Sequence, residues 1–188
     1  MNTYDFVHLA LLALDGEIRG KTKLQKTVYF LGVLTNSVDE LGFHAHYYGP
    51  YSEEVADAIG RLTALGFVDQ NIAGGGAVNE FGFEVARYDY RLNDDGRAIA
   101  QHKAKQHPEE MQSLCDAASK LKLAGERNYV ELSIAAKTYF MLGRKDHATM
   151  DELVRQARRF GWTVSEEEVR GAGQYLQRLG LVTVKEAK

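Results

Sequence analysis

Two histidines one residue apart, His44 and His46, are the first place where this 188-residue chain could do metal chemistry. On an extended segment, alternate residues fall on one face. The two imidazoles would then make half of a metal site. Zinc takes three or four protein ligands, and no third ligand is evident by spacing. Neither a metal nor a cofactor is expected. The single cysteine, Cys115, follows Leu114 in a segment of helical spacing. It reads as a buried small hydrophobe, with a reactive thiol as the alternative. The run Gly74-Gly75-Gly76 lacks the Lys-Ser/Thr pair of a phosphate-binding loop. It reads as a loop tip. No nucleophile motif is present, so the chain is expected not to be an enzyme.

Binding chemistry has more to work with. Arg19, Lys21, Lys23 and Lys26 lie close together, Arg87, Arg91 and Arg97 form a second group, and Arg155, Arg158 and Arg159 stripe one helix. These are the candidate nucleic-acid contacts, through phosphates and with little sequence discrimination. The alternative is solvated faces that balance local acids. Tyr47, Tyr48 and Tyr51 stand beside Glu53, Glu54 and Asp57. Tyrosines and carboxylates so grouped suit a protein-interaction surface. The partner would be another protein or a second copy of this chain.

The elements that must position these residues can be read from pattern. Gly49-Pro50 breaks the chain, and Ser52 is a good helix cap followed by Glu53 and Glu54, which suit the helix dipole. Val55, Ile59, Leu62 and Leu65 recur at helical spacing on what should be the buried face. Gly66 stops that helix, and Phe67-Val68 leads into a strand. Upstream, Thr3 can cap a first helix with an apolar face of Phe6, Val7, Leu11 and Leu14. Thr22 to Gln25 reads as a capping box opening a second, with Leu24, Val28, Leu31 and Leu34 inward. Helices are thus predicted near 4–14, 23–35 and 53–65.

After the glycine tip, Phe83 and Val85 alternate on one phase, and Tyr88, Tyr90 and Leu92 on the other. The change near Ala86-Arg87 suggests a β-bulge. Two strands about a glycine tip make a wing. Asn93 to Gly96 is a turn and cap before a helix to about Gln106, and Pro108 opens another toward Leu123. Three further helices are expected: 130–142, one opened by a capping box at Thr149, and one opened by a capping box at Ser165.

The third and last helices align without a gap. Val55 matches Val169, Ala58 matches Ala172, Leu62 matches Leu176, and Leu65 matches Leu179, then Gly66 matches Gly180 and Val68 matches Val182. That is the pattern of an internal repeat, with chance similarity of two amphipathic helices as the alternative. The fold class expected is mainly α with a small β-wing. A winged helix-turn-helix domain over residues 1–100 is followed by connecting helices over 101–125. A helical, helix-turn-helix-like domain over 126–188 completes the chain.

Composition limits the functions. Hydrophobic residues make up 45% and charged residues 26%, ordinary for a globular protein. The net charge of −3 is not the footprint of a protein held to nucleic acid by bulk electrostatics. No apolar run reaches the roughly 20 residues of a membrane helix. The opening segment lacks a basic n-region and reads as an amphipathic helix. The cytoplasm is the expected location, and no membrane partner is expected.

Leu24-Gln25-Lys26 followed by Tyr29-Phe30, then Tyr48-Gly49-Pro50-Tyr51-Ser52, then Leu65-Gly66-Phe67-Val68, resembles the YwgA-like proteins of bacteria. The chain is more distantly similar to SocA-like antitoxins built on the Panacea domain, which also carry an LQK-type helix and a Gly-Pro helix start. The likeness covers roughly the first hundred residues. The first group implies no activity, and the second implies binding to a partner protein. A winged helix by itself suggests DNA binding, with the third helix in the major groove. Against that, the third helix opens with Glu53, Glu54 and Asp57, and the last with Glu166, Glu167 and Glu168. Carboxylates so grouped meet phosphates unfavourably. A regulatory module acting through protein contacts, antitoxin-like or accessory, is the preferred expectation. A DNA-binding transcription regulator is the alternative.

Overall fold

The computed structural model describes residues 1–73, 87–143 and 148–183. Among them the chain is mainly helical, with eight α-helices, a short 3-10 helix at Val38–Leu41 and one small open sheet. The expected tip at Gly74 to Gly76, the alternating Phe83 and Val85 and the bulge near Ala86 lie outside the described residues. No described helix is long and apolar enough to cross a membrane.

The first helix, α1 (Thr3–Ala13), is capped by Asn2, whose side chain accepts from the Asp5 N–H at 2.8 Å, and not by Thr3 as expected. Asp15 and Gly16, both at positive φ, then reverse the chain into β1 (Glu17–Arg19). This strand was not expected, because three residues are too few for a period of two to be seen. Its register is nevertheless defined: Glu17 opposes Arg91, Ile18 opposes Tyr90, and Arg19 opposes Asp89. Only Ile18 is turned to the core.

The second helix, α2 (Lys21–Leu34), begins one residue before the expected capping box. Its cap is Gly20, with no side-chain cap bond, and Gln25 is used elsewhere. Every residue from Leu24 to Val33 is buried, so α2 is the central rod of the molecule and not a helix with one inward face. One side packs Leu24, Val28 and Leu31 into a core shared with α1 and α3 (Glu53–Ala64). The other side presents Tyr29, Phe30 and Val33 to the C-terminal helices.

Val55, Ala58, Ile59 and Leu62 form the buried face of α3. Leu65 was expected with them but is 62% exposed. The helix ends at Ala64, and Gly66 at φ +73° swings the chain so that Phe67 goes inward and stacks on His8. Strand β2 (Val68–Ala73) pairs antiparallel with β3 (Arg87–Leu92), and the sheet order is β1-β3-β2. Helices α4 (Asp94–Gln106, capped by Asn93) and α5 (Pro108–Leu123) follow with the expected bounds. Leu114, Ala117 and Ala118 of α5 close the first core.

The C-terminal part comprises α6 (Tyr129–Leu142), α7 (Met150–Arg159) and α8 (Glu166–Arg178). Capping boxes open all three, at Asn128, Thr149 and Ser165. The last two are the boxes read from the sequence. Leu132, Ala135 and Ala136 of α6 and Ala172, Tyr175 and Leu176 of α8 pack on Tyr29 and Phe30. A third cluster holds Met141, Leu153, Ala157, Trp162 and Val169 together.

The aligned positions of α3 and α8 share their burial: Val55 and Val169, Ala58 and Ala172, Leu62 and Leu176 are all inside. Both helices end alike. The Phe67 N–H donates to Leu62 O at 2.9 Å, and the Leu181 N–H to Leu176 O at 3.0 Å. Gly66 and Gly180 sit at φ +73° and +74°. The match fails at Leu65, which is exposed, against Leu179, which is buried. A side chain at Gly66 or Gly180 would meet no atom within 4 Å. Gly66→Ala and Gly180→Ala should therefore each cost about 1 kcal/mol from backbone conformation alone. Denaturant midpoints check this, and a cost at only one of the two would break the equivalence.

Candidate functional site

The residues of most interest converge on a small hairpin from His44 to Tyr51. His44 and Tyr51 exchange both backbone hydrogen bonds, at 3.0 and 2.9 Å. The Gly49 N–H donates to His46 O at 2.9 Å and closes the tip. Gly49 is at φ +98°, and a Cβ there would approach Lys137 Cγ at 3.0 Å and Lys26 Cε at 3.5 Å. Glycine is required both for the turn and for that close approach.

Three groups fasten the hairpin from beneath. The Gln25 amide donates to Ser52 O at 2.9 Å and accepts the Ser52 N–H at 3.0 Å. Lys26 Nζ donates to Pro50 O at 2.6 Å. From the C-terminal part, the Trp162 indole N–H donates to His46 O at 2.7 Å. Ser52 itself is buried, and its hydroxyl accepts the Val55 N–H at 3.0 Å, capping α3. The Leu24-Gln25-Lys26 and Gly49-Pro50-Tyr51-Ser52 motifs are thus two halves of one joint. Buried peptide groups need partners, and Gln25 and Lys26 supply them.

This corrects two readings of the sequence. Gln25 is not a helix-capping residue. Lys26 is 2% exposed and so is withdrawn from the outer surface, where a nucleic-acid backbone would lie. The signal for both was present: the apolar run from Val28 to Leu34 covers more than one helical face. A helix buried all round takes its early polar residues inside with it. Trp162 and Lys137 had no comparable signal, because their distance from the hairpin in sequence is too great.

Lys26 has no carboxylate partner among the described residues. Burial, with the nearby Lys137 charge, pushes its ammonium down from 10.5 to about 8. The unfolded chain therefore binds the proton more tightly than the folded one. Stability is reduced below pH 8 by the cost of the buried charge and rises as the pH climbs from about 8 to 10.5. At 1.36 kcal/mol per pH unit the full effect is roughly 3 kcal/mol. Denaturant unfolding between pH 8 and 10 should show a steeper gain in the wild type than in Lys26→Met. Equal slopes would contradict the assignment.

Above the joint, Tyr47 and Tyr48 stand at the tip, 71% and 58% exposed. Their rings meet edge to face with centroids 4.9 Å apart. Tyr51 lies between His44 and His46, its ring 5.0 Å from that of His46. His44 Nδ1 faces Glu53 at 3.4 Å. Glu54 and Asp57 are exposed on the same helix. Tyr51 and Glu53 thus meet the two histidines, while Glu54 and Asp57 line a separate recess against Asn2, Thr3, Tyr4 and Arg61. No group of three metal ligands occurs among the described residues.

The candidate phosphate contacts are dispersed, and four of them stand next to acids. Arg19 pairs with Glu17 at 2.7 Å, Lys23 with Glu126 at 2.9 Å, and Arg87 with Asp89 at 2.9 Å. Lys21 Nζ sits 3.8 Å from the Tyr88 ring centroid. Arg91 lies between Glu17 and Asp69 across the sheet. Arg97 donates to Asp15 O at 3.2 Å. Exposed pairs of this kind add little stability, but neighbouring carboxylates cancel the field that would draw a polyanion. Arg155, Arg158 and Arg159 are exposed on α7. Cys115 is half-buried, and burial pushes its thiol up, away from the reactive thiolate.

Comparison with known proteins adds one relationship. The chain is similar to the uncharacterized protein YwgA of Bacillus subtilis (strain 168), 35% identical over 88 residues. The match covers 47% of this chain and 48% of that protein, so it spans about half the length of each. No family model matches the chain.

Proposed function

We propose that this chain is a non-enzymatic regulatory module, antitoxin-like or accessory, that works through protein contacts at the His44–Tyr51 hairpin. The observation that carries the reading is the exposed Tyr47–Tyr48 pair on a hairpin tied down by three side chains, two from α2 and Trp162 after α7. Rigid exposed aromatics are the residues that anchor interfaces. Beside them, Glu53, Glu54 and Asp57 favour a partner with lysine or arginine around an apolar recess.

The scaffold reading is a winged helix. The order α1-β1-α2-α3-β2-β3, with β1 on β3, supports it for residues 1–100. On the same reading, α6, α7 and α8 would make the second, helix-turn-helix-like unit of residues 126–188, with the end of α4 and α5 as the connecting helices over 101–125. DNA binding is the second reading. Its specific support is the exposed stripe Arg155, Arg158 and Arg159 on α7, just before α8.

A photo-crosslinking residue placed at Tyr47 in the full chain, in its native cell, tests the first reading. The expected result is a discrete adduct of defined mass that a crosslinker at Gln112, exposed on α5, does not give. A chain that crosslinks at Tyr47 no more specifically than at Gln112 would overturn it.

A further inference from the structure

Beneath the hairpin lies a cavity of about 320 Å³. That is at the lower end of the roughly 300–1,000 Å³ of small-ligand pockets. Its walls come from the start of α2, from the hairpin, from α3 and from β2 and β3. Lys21, Lys26, His46, Tyr51, Gln70 and Tyr90 are among its charged and polar groups. No Asp or Glu lines it, on a chain whose net charge is −3. The first turn of α2, which contributes Lys21 and Thr22, carries no side-chain cap and no acid.

We propose that this cavity is a binding site for a small organic carboxylate with a flat apolar body. The carboxylate would balance the ammonium groups of Lys26 and Lys21. Lys26 has three protons to donate, and one is used, on Pro50 O. A buried cation without a counter-ion is costly, and an entering anion removes that cost. Burial keeps the phenol of Tyr90 protonated, pushed up to about 12, and raises that of Tyr51 as well. Both are therefore donors at neutral pH. Tyrosine rings, Leu24, Ala56 and Ile59 provide the surface for the apolar body.

A carboxylate fits better than a phosphate monoester. A dianion is met most strongly by the paired donors of arginine, and no arginine lines the cavity. This inference does not depend on a protein partner and can fail without touching that reading.

The test is NMR titration of the full chain at pH 7 with benzoate, its neutral counterpart benzamide, and phenyl phosphate. Benzoate is expected to saturate shifts of Tyr51, Gln70 and Tyr90, binding about tenfold or more tighter than benzamide, since charge-assisted bonds supply the difference. Lys21→Gln, at the exposed rim, and Lys26→Gln should each weaken benzoate by more than they weaken benzamide. Lys21→Gln keeps the test decisive if Lys26→Gln does not fold. Equal affinity for benzoate and benzamide, tighter binding of phenyl phosphate, or no saturation by benzoate up to about 10 mM, beyond the weak millimolar range, would each overturn the proposal.

Discussion

Leu176→Ala and Leu62→Ala are each expected to lower the unfolding free energy by about 2–5 kcal/mol. Both side chains are fully buried. Leu62 sits in the core formed by α1, α2 and α3, and Leu176 in the core formed by Tyr29, Phe30 and helices α6 and α8. Truncation removes apolar contact and leaves a cavity that rigid neighbours cannot fill. The aromatic ring of Tyr175 lies 6.0 Å from Phe30, edge to face, beside the Leu176 site. That packing limits collapse and favours the upper part of the range. Urea unfolding of each variant measures the effect. A loss below about 0.5 kcal/mol at either site, as at an exposed position, would contradict the account of α3 and α8 as equivalent core helices.

Gln25→Ala is the second large effect expected. The Gln25 amide serves both the N–H and the C=O of buried Ser52. Alanine leaves the buried Ser52 N–H unpaired, at about 1–3 kcal/mol, while Ser52 O keeps the Ala56 N–H at 3.2 Å. Gln25→Glu should be of similar consequence, because it still accepts from Ser52 N–H but turns an oxygen on Ser52 O. Lys23→Ala, on the same helix and in an exposed pair with Glu126, should change stability by only about 0–1 kcal/mol. Thermal unfolding of the three variants separates these cases. A Gln25→Ala protein as stable as Lys23→Ala would remove the joint from the account.

Local signals in the sequence were readable where one element decides its own form. The Ser52 cap, the capping boxes at Thr149 and Ser165, the Pro108 start and the Gly66 and Gly180 stops all depend on residues within a turn. The signals failed where tertiary partners decide. The apolar Leu65 is outside because Phe67 takes the inward position after the glycine turn. The Thr22 box did not form, since Gln25 is claimed by Ser52 across the core. Strand β1 exists because β3 is there to receive it. The site was half legible. Tyr51 and Glu53 meet His44 and His46, their near neighbours in sequence, while Glu54 and Asp57 line a separate recess toward α1. Lys26 was grouped with surface cations, although the fold buries it under Pro50.

The central claim, that this chain acts through protein contacts and not by reading DNA, is most directly tested by titrating the full chain onto labelled duplexes at two salt concentrations. The account predicts only weak binding, indifferent to sequence and lost with salt, with Kd in the roughly 10⁻⁴–10⁻⁶ M range of non-specific contacts. Duplex binding at about 10⁻⁸ M or tighter at physiological salt, with discrimination between sequences, would contradict it.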